Sequence, residues 1–363
     1  MDILLFAGID LHEKFCFITV MDKEGQILKE GKVFNEEDEI LLFFRDFKTP
    51  LEAAVEATYN WYWLVDLLEE MGIEVNLANP YKTKIIGESK TKTDKIDARA
   101  LANLLRMNYL PTCYIADKTT RDNREYLRNR IFLVQMQTAI KNRVHCLLDK
   151  HNTPSSETDL FGKRGLEFLK TLSFQEKTQK ALQALLETFE SLHGQINQMN
   201  KEIKLSSREN ETAQILETIP GIGPLSALML IYEIGDFNRF PSVKKIVSYS
   251  GIFSSTYSSG GKTHHGPITK QGNKYLRWIL IQAASAVVCS GKDKRLLRLY
   301  HRIKFKKNHG VAKVALAKEL LTIAYFLVKK KEVYNPNILS DKLKGPKGTL
   351  KTFKTLQPSC EGV

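Results

Sequence analysis

Three short runs rich in Phe, Ile, Leu and Val stand at the head of the chain with no helix between them: LLFAGID, KFCFITVM and QILKEGKVF, the last two joined by the turn signal DKEG. Strands this close in sequence pair as an antiparallel meander. EEDEILLFFRDF then reads as a helix with an acidic first turn, LEAAVEAT as a strand, YWLVDLLEEMG as a helix ending at Gly72, IEVNLANP as a strand, and KTKTDKIDARALANLL as a helix opening near Asp94. The order is β-β-β-α-β-α-β-α, which commits the first 118 residues to an α/β domain.

From about residue 119 the pattern changes to long charged helices whose apolar positions recur at three and four, predicting a helical hairpin or coiled-coil arm over 119–207. A third, mostly helical region, 208–334, opens with ETIPGIGPLSALMLIYEIG and ends in the basic helices KRLLRLYHRIKFKK and VAKVALAKELLTIAYFLVKKK. The tail, 335–363, has little apolar content and reads as loose. No internal repeat is present.

A chain of 363 residues with 43% hydrophobic and 26% charged content has enough material for two or three cored domains. Its formal charge of +13 predicts an anionic partner, either nucleic acid or an anionic membrane surface. No basic segment leads into a long apolar run, and no 18 consecutive apolar residues occur, so the expectation is an unexported cytoplasmic protein. Five cysteines without CxxC spacing argue for reduced thiols rather than a disulfide framework or a zinc ribbon.

Asp94 and Asp97, three apart on one helix face, repel each other unless the helix N-terminus or a cation compensates. Asp94 as a simple cap and Asp97 as decoration of a first turn is the plainer alternative. Asp10 ends the first strand in GID, just after Gly8, and Glu56 ends the fourth in AAVEAT, although Glu52 and Asp66 are available nearby. Strand ends at one sheet edge are where α/β sites collect, and this topology brings Asp10, Glu56, Asp94 and Asp97 together. Clustered carboxylates raise one another's pKa, and a pair of Mg²⁺ ions removes the conflict, taking carboxylate oxygens while stabilising the attacking and leaving oxygens of a phosphodiester. Mn²⁺ would serve the same ligands.

These stretches, GIDLHEK, EATYNWYW, NPYKTK and KTDKIDARALANLL, together with IPGIGPLSA, YSGIFSSTYSSGGK and GPITKQGNKYLRWILIQAA, make the chain resemble the transposases of the insertion-sequence-110 family over residues 5 to 290. The resemblance implies an N-terminal RuvC-like domain of the RNase H superfold whose D-E-D-D tetrad falls on Asp10, Glu56, Asp94 and Asp97. One departure is Tyr59-Asn60 in place of a small glycine pair after EAT. The resemblance further implies a serine nucleophile in the C-terminal domain, matched best by Ser259 with Ser258 as the fallback. It also implies a structured non-coding bridge RNA that pairs with donor and target DNA, and a homo-oligomer, dimer or tetramer, in which the acids of one subunit complete the site with the serine of another.

The C-terminal motifs carry their own chemistry. In IPGIGPLSA, Gly221 and Gly223 let backbone N–H groups approach a phosphate at a hairpin-and-helix start, although a Gly-Pro turn before a buried helix gives the same letters. A serine hydroxyl needs a base or nearby cations before it attacks phosphorus, and Lys262, His264, His265, Lys270, Lys274 and Arg277 follow the Ser-Ser-Gly-Gly run. Outside the family that run is an ordinary flexible turn. The adjacent histidines lack zinc-site spacing. His12, two past Asp10, is more often a packed residue than a site residue, and Tyr59, Trp61 and Trp63 read mostly as core with base stacking as the alternative.

Lys82, Lys84, Lys90, Lys92 and Lys95 border the acids, and Lys and Arg are dense from Lys292 to Lys331, as expected of a phosphate-tracking surface. No base-reading module is evident, which agrees with delegating sequence choice to RNA pairing. The resulting expectation is a recombinase of an insertion element. A RuvC-like junction nuclease using metal-activated water is the alternative, and a noncatalytic nucleic-acid scaffold a third.

Overall fold

The computed structural model describes residues 4–47, 50–86, 93–155, 157–259 and 261–336. The chain forms two compact units, divided between Ala116 and Asp117, so the arm and the C-terminal region cluster as one unit rather than two.

In the first unit β1 (Leu5–Leu11), β2 (Phe15–Met21) and β3 (Ile27–Phe34) form the expected meander. There follow α1 (Glu37–Phe44), β4 (Leu51–Glu56), α2 (Trp61–Glu70), β5 (Glu74–Ala78), α3 (Pro80–Ile86) and α4 (Asp94–Arg106). Among the described residues the sheet runs β3-β2-β1-β4-β5. The first three strands are antiparallel, whereas β4 and β5 lie parallel to β1. The one added element is α3. Asn79 accepts from Lys82 N at 3.1 Å, and Pro80 takes the first helical position, where its missing N–H costs nothing.

Strand alternation divides the sheet into two faces. Leu5, Ala7, Ile9 and Leu11 of β1, with Leu51, Ala53 and Val55 of β4, join the core that takes in Ile40, Phe43 and Phe44 of α1 and Leu64, Val65 and Leu68 of α2. Phe6 and Ala54 point the other way, into a core with Leu101, Ala102 and Leu105 of α4. Asp10 and Glu56 share the parity of Phe6 and Ala54, so the α4 face receives both. α4 lies unusually close to β1, because a Cβ on Gly8 would stand 2.0 Å from Ala98 O and 2.5 Å from Ala102 N. Only glycine opposite two alanines permits that approach. Laterally, Arg99 donates to both oxygens of Glu30 at 2.8 Å and Lys95 lies 2.5 Å from Glu30 Oε1, tying α4 to β3.

The second unit opens with α5 (Lys118–Lys150), capped by Asp117, then α6 (Lys163–Thr171) and α7 (Glu176–Glu209). Buried Leu182, Leu186, Phe189, Leu192, Ile196, Met199 and Ile203 run along α7 at three- and four-residue steps. Val144 and Leu148 of α5, Leu160, Leu169 of α6, and Leu182 and Leu186 form a separate small core. α8 (Glu211–Glu217), α9 (Pro224–Ile234), a 3-10 turn at Phe237–Arg239 and α10 (Val243–Tyr249) follow. Next come the antiparallel pair β6 (Ser254–Ser259) and β7 (Lys262–Ile268), then α11 (Lys274–Ser290), α12 (Lys294–Lys306) and α13 (His309–Lys330). The region read as mostly helical thus contains a β-ribbon, and IPGIGP forms the turn between α8 and α9. Residues 337–363, including most of the tail read as loose, lie outside the described residues. Among the described residues Cys16, Cys113, Cys146 and Cys289 are free, and no helix is long and apolar enough to cross a membrane.

Candidate active site

Asp10 is the last inward residue of β1 on the α4 face, and Glu56 ends β4 one step beyond the Ile9–Val55 pair of the parallel register. Asp94 and Asp97 occupy the first turn of α4, above the inward stripe Ala98, Leu101, Ala102 and Leu105. Thr93, not Asp94, caps this helix, accepting from Ile96 N at 3.3 Å, which frees the Asp94 carboxylate from capping. Burial is the largest influence on Asp10 and pushes its carboxyl up from 3.8 to about 6. His12 opposes the rise, and Asp97, Glu56 and Asp94 add to it in that order. The four carboxylates therefore share one electrostatic site. Glu52 is not part of it: four residues back along β4, about 13 Å away, it is raised by its own burial and by Glu74. Asp66 rides on α2, whose buried residues belong to the other face of the sheet.

His12 joins this group. Its Nε2 lies 3.3 Å from Asp10 Oδ2 and 3.3 Å from Asp94 Oδ1, and one ligand atom from each of the three residues falls within 4.8 Å of the others. Neither contact has hydrogen-bond geometry, so Nε2 is a buried polar atom without a hydrogen-bond partner among the described residues. The backbone beneath it is fixed: His12 O accepts from Asn35 Nδ2 at 2.9 Å and Asn60 Nδ2 at 2.8 Å, and His12 N donates to Phe15 O at 2.9 Å. Thr58 Oγ1 donates to Asn60 Oδ1, so the loop after Glu56 is braced against the turn after Asp10. An oxygen-rich set with one buried carboxyl, Asp10, raised by its surroundings and one orphaned ring nitrogen has the chemistry of a divalent-cation site. The sequence signal for His12 was its i+2 spacing from Asp10. Asn35 and Asn60 carried none. Tyr59, read mostly as core, is exposed, whereas Trp61 and Trp63 pack partly against the core.

Ser258 and Ser259 end β6, paired with Thr263 and Lys262, and both are exposed. Alternation sends them to opposite faces of the ribbon. The base of the ribbon is tightly held. Arg277 Nη1 donates to Lys270 O at 3.2 Å and Ser250 O at 3.4 Å, and Asn273 N donates to Tyr249 O at 3.0 Å. Asn273 also caps α11 and donates to Glu233 Oε2 at 2.5 Å. Glu233 is wholly buried, and its carboxylate receives Arg128 through two contacts of 2.8 Å. An acid inside the apolar run SALMLIYEIG was the available signal for this network.

The remaining residues read as phosphate contacts divide. Lys95 faces Glu30, and Arg277 braces loop carbonyls while staying partly exposed. Lys270 and Lys274 are exposed, Lys274 lying 5.0 Å from the Tyr275 ring centroid. Gly221, at φ +83°, is required by packing, since a Cβ there would stand 2.5 Å from Ala283 O and 2.7 Å from Val287 Cγ2 of α11. Gly223, which precedes α9, has open space where a Cβ would be. Lys90 and Lys92, and the side chains of Lys84, Lys262, His264 and His265, lie outside the described residues.

A family profile described as Transposase, of the DEDD IS110 type, matches residues 7–153, and one described as Transposase IS116/IS110/IS902 family matches residues 213–301. The chain belongs to the IS110 family of transposases. Among its relatives, a probable family 20 transposase of Pseudomonas aeruginosa is 26% identical over 340 residues, covering 91% of this chain and 98% of the relative. The transposase for insertion sequence element IS1111A of Coxiella burnetii is 28% identical over 338 residues, 90% of either chain. A pilin gene-inverting protein of Moraxella bovis is 26% identical over 297 residues, 79% of this chain and 83% of that one. This IS110-family member is accordingly a DNA transposase/recombinase, its substrate is DNA, and its DEDD type implies a divalent metal.

Proposed function

We propose that this transposase cuts and rejoins DNA through a phosphoserine intermediate, with Ser259 as nucleophile, Asp10, Glu56, Asp94 and Asp97 as the Mg²⁺ site of a RuvC-like domain, and a structured non-coding RNA as guide. The observation that carries the reading is the convergence of three further acids on buried Asp10, a group that resists full ionisation without a cation. A divalent cation bound there supplies charge stabilisation to the oxygens around the scissile phosphorus. The Ser259 hydroxyl gives up its proton and bonds to phosphorus as the bond to one deoxyribose oxygen breaks. That oxygen leaves as the hydroxyl of a free end. Attack by a hydroxyl of the second DNA reverses the step, so strand exchange proceeds with no net hydrolysis.

Support for an RNA and DNA surface comes from α12, whose exposed Arg298 and Arg302 stand opposite buried Leu296 and Tyr300 and whose last turn carries exposed Lys304 and Lys306. Exposed Phe132 and Met136 on α5 and Leu205 on α7 support a homo-oligomer joined through the long helices as a coiled-coil arm. The test is covalent capture. Protein, RNA and end-labelled DNA are incubated with Mg²⁺ and denatured in detergent. Label is expected to migrate with the polypeptide and to be lost in Ser259→Ala while nucleic-acid binding persists. Cleavage without any adduct would replace this reading with hydrolysis by activated water, and an adduct surviving in Ser259→Ala would transfer the role to Ser258.

A further inference from the structure

The first two residues on either side of Leu11 differ in what they offer a cation: a carboxylate from Asp10 and an imidazole from His12. We propose that His12 is a direct ligand of the cation held by Asp10 and Asp94, which makes this a mixed nitrogen–oxygen site that prefers a first-row transition ion such as Mn²⁺ to Mg²⁺. The inference rests on the reading of Asp10 and Asp94 as cation ligands.

Two ligand atoms each about 2.1 Å from one ion and at right angles to each other lie about 3 Å apart. His12 Nε2 stands 3.3 Å from an oxygen of each aspartate, close to that separation on both sides. A hydrogen-bonded bridge between the carboxylates would be the competing use of the ring. It is disfavoured because Nε2, although shut off from solvent, has no hydrogen bond to either. The ring does not reach this place by accident of a loose turn. Asn35, Asn60 and Phe15 fix the His12 peptide, and the Phe15 ring lies 4.8 Å from the imidazole, so the nitrogen is preorganised. Asn60 also ties the ligand-bearing turn to the loop that follows Glu56, and the nitrogen and the carboxylates are positioned as one unit. Imidazole binds first-row transition ions far better than it binds Mg²⁺, which keeps to oxygen and water. The ligand set therefore carries a metal preference that four carboxylates alone would lack.

The experiment uses the full chain with Mn²⁺ alone as probe, followed by electron paramagnetic resonance. Bound Mn²⁺ should show nitrogen modulation in pulsed spectra of the wild type. His12→Asn should abolish the modulation and weaken Mn²⁺ about tenfold or more, while His12→Asp should restore binding without the modulation and let Mg²⁺ displace Mn²⁺ at lower concentration. Mn²⁺ that binds, is lost in Asp10→Asn, yet shows no nitrogen modulation overturns the role of His12 and leaves the carboxylate site standing. Tighter Mn²⁺ binding by His12→Asn overturns it as well, since it makes the ring a counter-charge. Mn²⁺ binding that is absent, or indifferent to Asp10→Asn, removes the carboxylate site and this inference together.

Discussion

Replacing Asp10 by Asn removes a charge the fold holds at a disadvantage, and the size of the effect follows from its environment. Burial and three neighbouring acids raise the Asp10 carboxyl from 3.8 to about 6, with His12 only partly offsetting them. Because the folded state holds the proton more tightly than the unfolded chain, ionisation costs stability as pH rises from below 4 through 6, and the full penalty applies above that. A displacement of about two pH units corresponds to roughly 3 kcal/mol. For a unit of this size that amounts to a melting shift on the order of 10 °C. Asp10→Asn, isosteric and neutral, should therefore melt higher than wild type at pH 8 in EDTA, and the gap should close at pH 4. Adding Mn²⁺ or Mg²⁺ should raise the wild type alone and narrow the difference. Differential scanning calorimetry of the N-terminal transition reads all three conditions. A variant less stable at pH 8, or a gap of the same size at both pH values, would refute the argument that like charges meet at Asp10.

Gly8→Ala should abolish cleavage while sparing nucleic-acid binding, because the added methyl must displace α4 and with it Asp94 and Asp97; strand-cleavage and filter-binding assays on one preparation check this. Glu30, held down to about 2 by its hydrogen bonds to Arg99 and Lys95, adds stability that is present above the ordinary carboxylate range and lost as pH falls toward 2. Glu30→Gln should thus lower the melting point at pH 7 and make no difference near pH 2. Glu233→Gln leaves half-buried Arg128 facing a neutral group, so a loss of about 1–3 kcal/mol is expected in chemical denaturation. Unchanged stability would mean that water reaches this pair.

The order of elements in the first unit and the nearness of three acids to Asp10 were legible because they depend on local signals: period-two apolar runs, turn residues, and carboxylates at strand ends and in a first helical turn. The helix α3 escaped because Asn79-Pro80 is equally good punctuation for ending a strand and for starting a helix. β6 and β7 escaped for a different reason. Ser254–Ser259 reads SSTYSS, with no apolar alternation, and Tyr257, Ser258 and Ser259 are exposed, so no buried face writes a period of two into this strand. His12 and Asn60 were beyond sequence reasoning as a pair, since only folding brings residues 48 apart to a 2.8 Å contact. Gly221 illustrates how one letter serves two purposes: a glycine that admits a phosphate and one that admits a neighbouring helix look alike until the helix is seen.

The close seat of α4 on Gly8 bears on when activity can arise during synthesis. Asp10 and Glu56 leave the ribosome within the sheet, but Asp94 and Asp97 belong to the last helix of the unit to emerge, and they meet the others only once Leu101, Ala102 and Leu105 have docked. A nascent or prematurely terminated chain that ends before residue 94 carries half the carboxylates and leaves the apolar sheet face of Phe6 and Ala54 uncovered, a surface that favours aggregation. The cation site is thus withheld from the newly made polypeptide until α4 has emerged and docked.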